Sequence, residues 1–147
     1  TETSSRPSMA RNYCRGNTHP IVRDDRMDAV SLAIDDDTAM LDVTRLALEN
    51  EGYQVHSVSS PKEAIKFYEN HWQNIKLVLL DFLMPEMTGD QVFASLRICN
   101  PQVPVLLVTG HYQSIQAPEF KSGVRGCLSK PFLLNDLIQK VGDAIRL

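Results

Sequence analysis

Short apolar runs alternate with amphipathic segments along most of the chain. The apolar runs predict five strands, at 29–34, 53–58, 76–82, 104–110 and 125–129. Helical spacing of apolar residues predicts helices between and after them, at 38–52, 60–72, 89–98 and 133–147. The uninterrupted run at 104–110 is typical of a strand covered on both faces. Strands that alternate with helices favour an α/β fold, a doubly wound sheet of five parallel strands.

The predicted helices carry end signals and apolar faces. Ser60-Pro61-Lys62-Glu63 matches a capping box with proline at the first helical position. Gly52 is placed to close the first helix. One face of that helix holds Met40, Val43, Leu46 and Ala47. One side of the last helix holds Leu134, Leu137, Ile138, Val141 and Ile145.

Composition and charge narrow the class of protein. A chain of 147 residues with 43% hydrophobic content fits one domain with a sizeable core. The net charge of -3 gives no basic field, so we expect no direct binding to nucleic acid. Cys14, Cys99 and Cys127 lack C-x-x-C spacing and the histidines are scattered, which disfavours a zinc site and favours a reducing, cytoplasmic setting. No apolar stretch approaches the roughly 18 residues of a membrane span, so no membrane partner is expected.

Residues 1–27 differ in composition from the rest of the chain. They are rich in arginine and small polar residues and show almost no apolar periodicity. We interpret them as a flexible leader, partly an expression remnant or a linker, and place the folded domain at 28–147. Met9 and Met27 are both candidate native starts. A native arm that binds a partner is the alternative interpretation.

One strand ends in an acidic residue. The apolar run 76–80 is followed by Asp81, and a carboxylate at the end of a buried strand is costly unless it has a partner or a function. In a doubly wound sheet, ligands bind at the carboxyl ends of the strands. The other polar residues that follow predicted strands are Asp35, Asp36, Asp37, Thr109 and Lys130. The pattern therefore gathers these groups at one edge.

This set of side chains indicates a particular chemistry. Carboxylates held close together repel one another and favour a bound cation. Oxygen ligands that leave room for water and phosphate suit Mg²⁺ rather than zinc. Lys130 and Thr109 add an ammonium and a hydroxyl, which hold phosphoryl oxygens. The edge therefore predicts phosphoryl transfer to a carboxylate.

Four segments together resemble a known family. IDDDTAM, LLDFLMPEMTG, LLVTG and SKPF, in this order and spacing, look like the receiver domain of two-component response regulators. The resemblance covers about 28–147 and implies the flavodoxin-like strand order 2-1-3-4-5. It implies that Asp81 accepts a phosphoryl group from the phosphohistidine of a histidine kinase or from a small phosphodonor.

The resemblance also implies roles for the surrounding residues. Mg²⁺ would be held by Asp36, by Asp35 through water, by Asp81 and by the backbone carbonyl of Leu83. Thr109 would bind a phosphoryl oxygen after transfer, and Lys130 would pair with the acceptor carboxylate or with the phosphoryl group. Pro131 would make the preceding peptide bond cis.

The chain departs from the family pattern at two positions. Cys127 stands where the fifth strand usually carries Tyr or Phe, so a ring whose rotamer follows phosphorylation is missing. Pro118 falls where the fourth helix is expected, in 113–123, and an interior proline breaks a helix. That helix should be short, kinked or mobile. Leu83 and His111 occupy positions that tune dephosphorylation in the family; Leu83 suggests slow loss of phosphate, which His111 could offset.

The resulting hypothesis is a signalling receiver and not an enzyme. Its expected partners are a sensor histidine kinase or a phosphotransfer protein and an unknown downstream effector, with homodimerisation open. One alternative is an interaction module with a receiver fold that works without phosphorylation. Another is the receiver portion of a hybrid histidine kinase. A phosphatase with an aspartyl nucleophile fits poorly, because Ala39 stands where its D-x-D-x-T motif needs Thr.

Overall fold

The sheet has the predicted strand order. The computed structural model describes residues 30–146, so the proposed leader 1–27 with its two candidate starts, and Leu147, lie outside the described residues. The strands are β1 Val30–Ile34, β2 Gln54–Val58, β3 Ile75–Leu80, β4 Val105–Thr109 and β5 Gly126–Ser129. Every neighbouring pair is parallel, and the order is β2-β1-β3-β4-β5. The α/β fold class predicted from the sequence is confirmed.

Helices connect the strands and follow the last one. They are α1 Thr38–Asn50, α2 Pro61–His71, α3 Gly89–Cys99, α4 Pro118–Gly123 and α5 Leu134–Arg146. Single 3-10 turns precede β3, at Trp72–Asn74, and α4, at Tyr112–Ser114. No helix in 30–146 is both long and apolar enough to cross a bilayer.

The core consists of two layers, one on each face of the sheet. Along β3, Leu77 and Leu79 pack with α1 and α5, whereas Val78 and Leu80 pack with α2, α3 and α4. All four side chains are buried. A central strand buried on both faces explains why its sequence is continuously apolar.

The predicted orientation of α1 is wrong. Its buried residues are Leu41, Thr44 and Leu48, whereas Val43 and Leu46 are 46% and 59% exposed. The buried stripe includes a polar residue, so a count of apolar positions favoured a neighbouring face. The end of the helix is as predicted: Gly52 has a φ of 96° and its N–H donates to the Glu49 carbonyl.

In the last helix and in the fourth helix, one detail each differs from the prediction. Leu134 is 49% exposed, while Leu137 and Val141 are buried as expected. The fourth helix is short, as predicted, but Pro118 does not interrupt it: Pro118 is its first residue, and the helix has 6 residues. Proline fits this position because the N–H there has no intrahelical partner. The preceding part of the expected helix is the 3-10 turn and irregular chain.

Candidate functional site

The strands bring Asp35 and Asp81 side by side. Each residue directly follows its strand, and Ile34 of β1 lies opposite Leu80 of β3. The Asp81 N–H donates to the Ile34 carbonyl at 3.1 Å, which extends the ladder past the last strand residue. Both carboxylates are buried, with 5% exposure for Asp35 and 7% for Asp81. Two acidic side chains are therefore held next to each other with little water.

Lys130 supplies the positive charge for this pair. It follows β5, and its backbone N–H donates to the Thr109 carbonyl at 3.1 Å. Its Nζ lies 2.5 Å from Asp35 Oδ2 and 3.4 Å from Asp81 Oδ2. Lys130 thus has the predicted contact with Asp81 and a shorter one with Asp35 that the sequence does not predict. The Lys130–Pro131 peptide bond is cis, as predicted.

Burial and the neighbouring charges shift the pKa values of both Asp35 and Lys130. Burial raises the pKa of the Asp35 carboxyl, and the hydrogen bonds from Lys130 and from the Asp37 N–H offset only part of that shift. Burial alone would lower the pKa of the Lys130 ammonium. The hydrogen bond to Asp35 and the charges of Asp81 and Asp35 outweigh burial and raise that pKa. The Lys130 ammonium therefore stays charged, while the buried Asp35 carboxyl is costly to ionise.

Three carboxylates are close enough to share a cation. Asp35, Asp36 and Asp81 each offer an oxygen, and these atoms lie within 4.8 Å of one another. Magnesium bonds oxygen at about 2.1 Å, so ligands on opposite sides of the ion lie about 4.2 Å apart. The upper limit of 4.8 Å is close to this separation, so the three oxygens lie near enough to share one ion. The donor set, all oxygen and partly open to solvent at Asp36, fits Mg²⁺.

Asp37 belongs to the helix and not to the cluster. Its Oδ1 accepts a hydrogen bond from the Met40 N–H at 3.2 Å, which caps the N-terminus of α1. Its own N–H donates to Asp35 Oδ1 at 3.0 Å. The acidic run therefore combines a capping residue with two candidate metal ligands, and the cap also orients Asp35.

A backbone contact to Asp81 was not foreseen from the sequence. The Phe82 N–H donates to Asp81 Oδ1 at 2.7 Å. No residue type signals this bond, because every non-proline residue has the same donor. The bond could have been predicted only from the turn of the chain after Asp81, which is made by the loop over 82–88. Oδ1 is thereby held by Phe82, while Oδ2 faces Lys130.

The loop after Asp81 is closed by a glycine. The Gly89 N–H donates to the Phe82 carbonyl at 2.7 Å. A Cβ at position 89 would lie 2.6 Å from the Asp81 carbonyl oxygen and 2.9 Å from the Phe82 Cα. Only glycine allows this close approach of α3 to the end of β3. Met84, within this loop, is buried and packs in the core layer that contains α2, α3 and α4.

The other predicted site residues lie around this edge. Thr109 ends β4 and is buried, and its Oγ1 accepts a hydrogen bond from the His111 N–H at 3.1 Å. The Leu83 side chain is 48% exposed. His111 is exposed. The described contacts join Asp35, Asp81 and Lys130 directly, whereas Thr109 connects to them through the Lys130 backbone.

Cys127 lies within β5 and is half-buried against the layer that contains α2, α3 and α4. Burial raises the pKa of its thiol, and the charges of Lys140 and Lys121 oppose this only in part. Cys127 and Cys99 are both free thiols. At this position a small thiol replaces the ring that the family pattern expects.

Family comparison places these features in context. Residues 32–142 match the family model described as response regulator receiver domain. The chain belongs to this family. It is 33% identical over 115 residues to the transcriptional regulatory protein GlrR of Escherichia coli, covering 78% of this chain and 26% of that protein. It is 31% identical to the sensor kinase CckA of Brucella abortus over 79% of this chain and 12% of the kinase. The chain thus spans only a part of these relatives.

Solved structures agree with the fold. A receiver domain protein from Clostridium thermocellum superposes with a TM-score of 0.73 at 27% identity, covering 80% of this chain and 94% of that one. The response regulator TrrA of Thermotoga maritima, solved in complex with Mg²⁺-BeF, gives a TM-score of 0.68 at 26% identity, over 79% of this chain and 98% of that one. The chain is therefore a two-component receiver domain by sequence and by fold.

Proposed function

We propose that Asp81 is the phosphoacceptor of this receiver. A carboxylate oxygen of Asp81 attacks the phosphorus of a phosphohistidine on a sensor histidine kinase or a phosphotransfer protein. A P–O bond forms, the P–N bond breaks, and the bonding electrons return to the imidazole nitrogen. The observation that carries the proposal is a buried Asp81 carboxylate next to a second buried carboxylate, with one lysine ammonium in contact with both.

Mg²⁺ is the cofactor that we propose for this step. Asp36, Asp81 and the Leu83 carbonyl would hold it, with Asp35 acting through water. When bound, it neutralises negative charge on the transferring group. The all-oxygen donor set supports this assignment, as does the similarity to TrrA, which was solved with Mg²⁺-BeF.

We assign the remaining site residues to phosphoryl oxygens. The Lys130 ammonium, now 3.4 Å from Asp81 Oδ2, would pair with the new phosphoryl group and balance its charge. The Thr109 hydroxyl would donate to another phosphoryl oxygen. Both residues contribute by binding and orienting the group, and neither needs to transfer a proton.

Intact-mass measurement after incubation with acetyl phosphate and Mg²⁺ tests the proposal. The unchanged chain should gain one phosphoryl group. Asp81→Asn should gain none, and neither should the unchanged chain in EDTA. Asp36→Asn is a second variant that keeps the acceptor but weakens the metal site. A phosphoryl adduct of equal yield in Asp81→Asn would show that the acceptor is another residue.

The lifetime of the phosphoryl group is a separate proposal. Leu83 has no group that can orient water, so we propose slow hydrolysis of the acyl phosphate, to which the His111 imidazole could contribute water activation. Leu83→Asn should therefore lose phosphate faster, as measured by the decay of the adduct. An unchanged decay rate would remove the basis for a role of position 83.

The proposed role of Asp81 also bears on how this receiver domain works within the cell. The presence of acceptor, acid pair and lysine disfavours a module that works without phosphorylation. The relatives include both a transcriptional regulator and a sensor kinase. The parent protein can therefore be a response regulator or a hybrid histidine kinase, and the downstream effector stays open. The free thiols Cys99 and Cys127 support a cytoplasmic setting. A dimeric form is a further proposal, to be tested by light scattering with and without phosphorylation.

A further inference from the structure

A small cavity lies beneath the two buried carboxylates, between the sheet and α1. Its lining consists of apolar residues of β1, β3, β4 and α1 and of three polar residues, Asp35, Asp81 and Thr44. Two of the apolar lining residues, Ala33 and Leu79, belong to the core layer that contains α1 and α5. Asp35 and Asp81 directly follow β1 and β3. They therefore form the end of the cavity that is nearest to the proposed metal site.

Thr44 brings an unpaired hydroxyl to this cavity. It is 5% exposed and lies on the buried face of α1, between Leu41 and Leu48. A threonine within a helix can donate its hydroxyl to the carbonyl four residues earlier, which is here that of Met40. Within 30–146, neither this bond nor any other hydrogen bond of the Thr44 hydroxyl is formed. A buried hydroxyl without a partner costs free energy, so the cavity contains a polar group that needs one.

The two carboxylates can each accept a further hydrogen bond. Asp35 Oδ1 accepts from the Asp37 N–H, and Asp81 Oδ1 accepts from the Phe82 N–H. Lys130 Nζ contacts the Oδ2 atom of both carboxylates. Because an ionised carboxylate has about four acceptor positions, these contacts within 30–146 leave some of them unused. A donor inside the cavity would therefore find acceptors at its carboxylate end.

The cavity has the size of a single water molecule. Its volume is about 10 Å³, at the lower end of the roughly 10–15 Å³ that one enclosed water needs. An enclosed water also needs about two to four polar partners, and one hydroxyl with two carboxylates supplies enough. Cavities that stay empty are lined by apolar groups alone, which is not the case here.

We propose that one water molecule occupies this cavity and bridges the Thr44 hydroxyl to the buried carboxylates. The water accepts a hydrogen bond from Thr44 Oγ1 and donates to oxygens of Asp35 and Asp81. Together with Lys130, it fixes the orientation in which the two carboxylates meet the proposed ion. Thr44 is thus a positioning residue that acts through the water. Its effect on metal binding rests on the proposed function, whereas the water site itself does not.

The water site is tested without metal, in EDTA, by urea unfolding of Thr44→Val. Valine has nearly the shape of threonine but no hydroxyl, so the water loses a partner and the urea midpoint should fall. In a dry cavity, the same change would remove a buried unpaired hydroxyl and raise the midpoint. Thr38→Val, at the exposed first residue of the same helix, is the control and should leave the midpoint nearly unchanged. A Thr44→Val midpoint equal to or above that of the unchanged chain overturns the proposal.

A high-resolution crystal structure gives the direct check of the water. The unchanged chain should show one ordered water within hydrogen-bond distance of Thr44 Oγ1, and Thr44→Val should show none in the same position. An empty cavity in the unchanged chain overturns the proposal, and so does a Thr44 hydroxyl that donates to the Met40 carbonyl.

The positioning role is tested by calorimetric titration with Mg²⁺. Thr44→Val should raise the Kd by about tenfold, the effect typical of groups that orient metal ligands. Thr44→Ser keeps the hydroxyl and loses a methyl group, so it should be less stable than the unchanged chain but keep its Kd. An unchanged Kd in Thr44→Val, or a Kd that follows stability in both variants, overturns the positioning role. If the unchanged chain binds no Mg²⁺, the proposed cofactor fails instead, and urea unfolding and the crystal structure still decide the water.

Discussion

The carboxyl edge of the sheet and the segment 110–126 differ in how firmly the fold holds them. At the edge, Asp35 and Asp81 extend strands whose residues are almost completely buried. In 110–126, a 3-10 turn and a helix of 6 residues are anchored by two buried side chains, Ile115 and Phe120. The chemistry is thus placed on rigid strands, while the neighbouring segment has few contacts and is the part that can change position at low cost.

Removal of the lysine should have the largest effect. Lys130→Met takes away the charge between the two buried carboxylates, and the rate of Asp81 phosphorylation should fall by about 10²- to 10³-fold. Intact mass against time measures the rate. Lys76→Met, at the opposite end of β3 and exposed, is the control and should react normally. A Lys130→Met rate close to that of the control would remove Lys130 from the site.

Core truncation should distinguish the two regions by stability. Leu107→Ala, in the middle of β4 with 0% exposure, should lower the free energy of unfolding by about 3–5 kcal/mol, because the packed strands cannot close the cavity. Ile115→Ala, with 3% exposure, should cost only about 2 kcal/mol, because its segment can collapse. Urea unfolding measures both. Equal losses would show that 110–126 is as firmly packed as the sheet.

A methyl group at the end of α4 should have a smaller effect. A Cβ at position 123 would lie 2.9 Å from Phe93 Cζ, so Gly123→Ala should lower the free energy of unfolding by about 1–2 kcal/mol. At Gly110 the nearest atom would be 3.7 Å away, so Gly110→Ala should stay within about 0.5 kcal/mol. A neutral Gly123→Ala would mean that Phe93 or α4 moves aside without cost. Thermal unfolding of both variants makes the comparison.

Substitution of Pro118 should change stability least, and whether stability falls or rises is the informative result. Because Pro118 is the first residue of α4, Pro118→Ala should lower stability by less than about 1 kcal/mol, through a more flexible unfolded chain. If the proline instead interrupted a longer helix, the same change would raise stability by about 3 kcal/mol. Chemical denaturation decides the sign.

Much of the fold could be predicted from the sequence because strands and helices have local periodicities, whereas the order of the strands was implied by the family resemblance. Five apolar runs separated by helical repeats were sufficient for the parallel sheet. Asp35, Asp81 and Lys130 could be placed together because parallel strands end at the same edge. These inferences needed the positions of strand ends and no knowledge of side-chain direction.

The features that the sequence did not predict depend on the direction and packing of individual side chains. The face of α1 was missed because Thr44 is buried, and polarity alone cannot tell a buried threonine from an exposed one. The contact of Lys130 with Asp81 was predicted, but strand spacing does not show that its contact with Asp35 is shorter. The contact between Phe82 and Phe120 joins residues far apart in the chain, so no local pattern signals it.

The close approach at Gly89 has a consequence for directed evolution of this chain. In a library that randomises the loop behind the acceptor, selection for folded clones should return glycine at position 89, because the Asp81 carbonyl occupies the space of any side chain there. Diversity will collect instead at exposed positions such as Leu83. The loop therefore divides into one codon that cannot vary and neighbours through which the lifetime of a signal can be tuned.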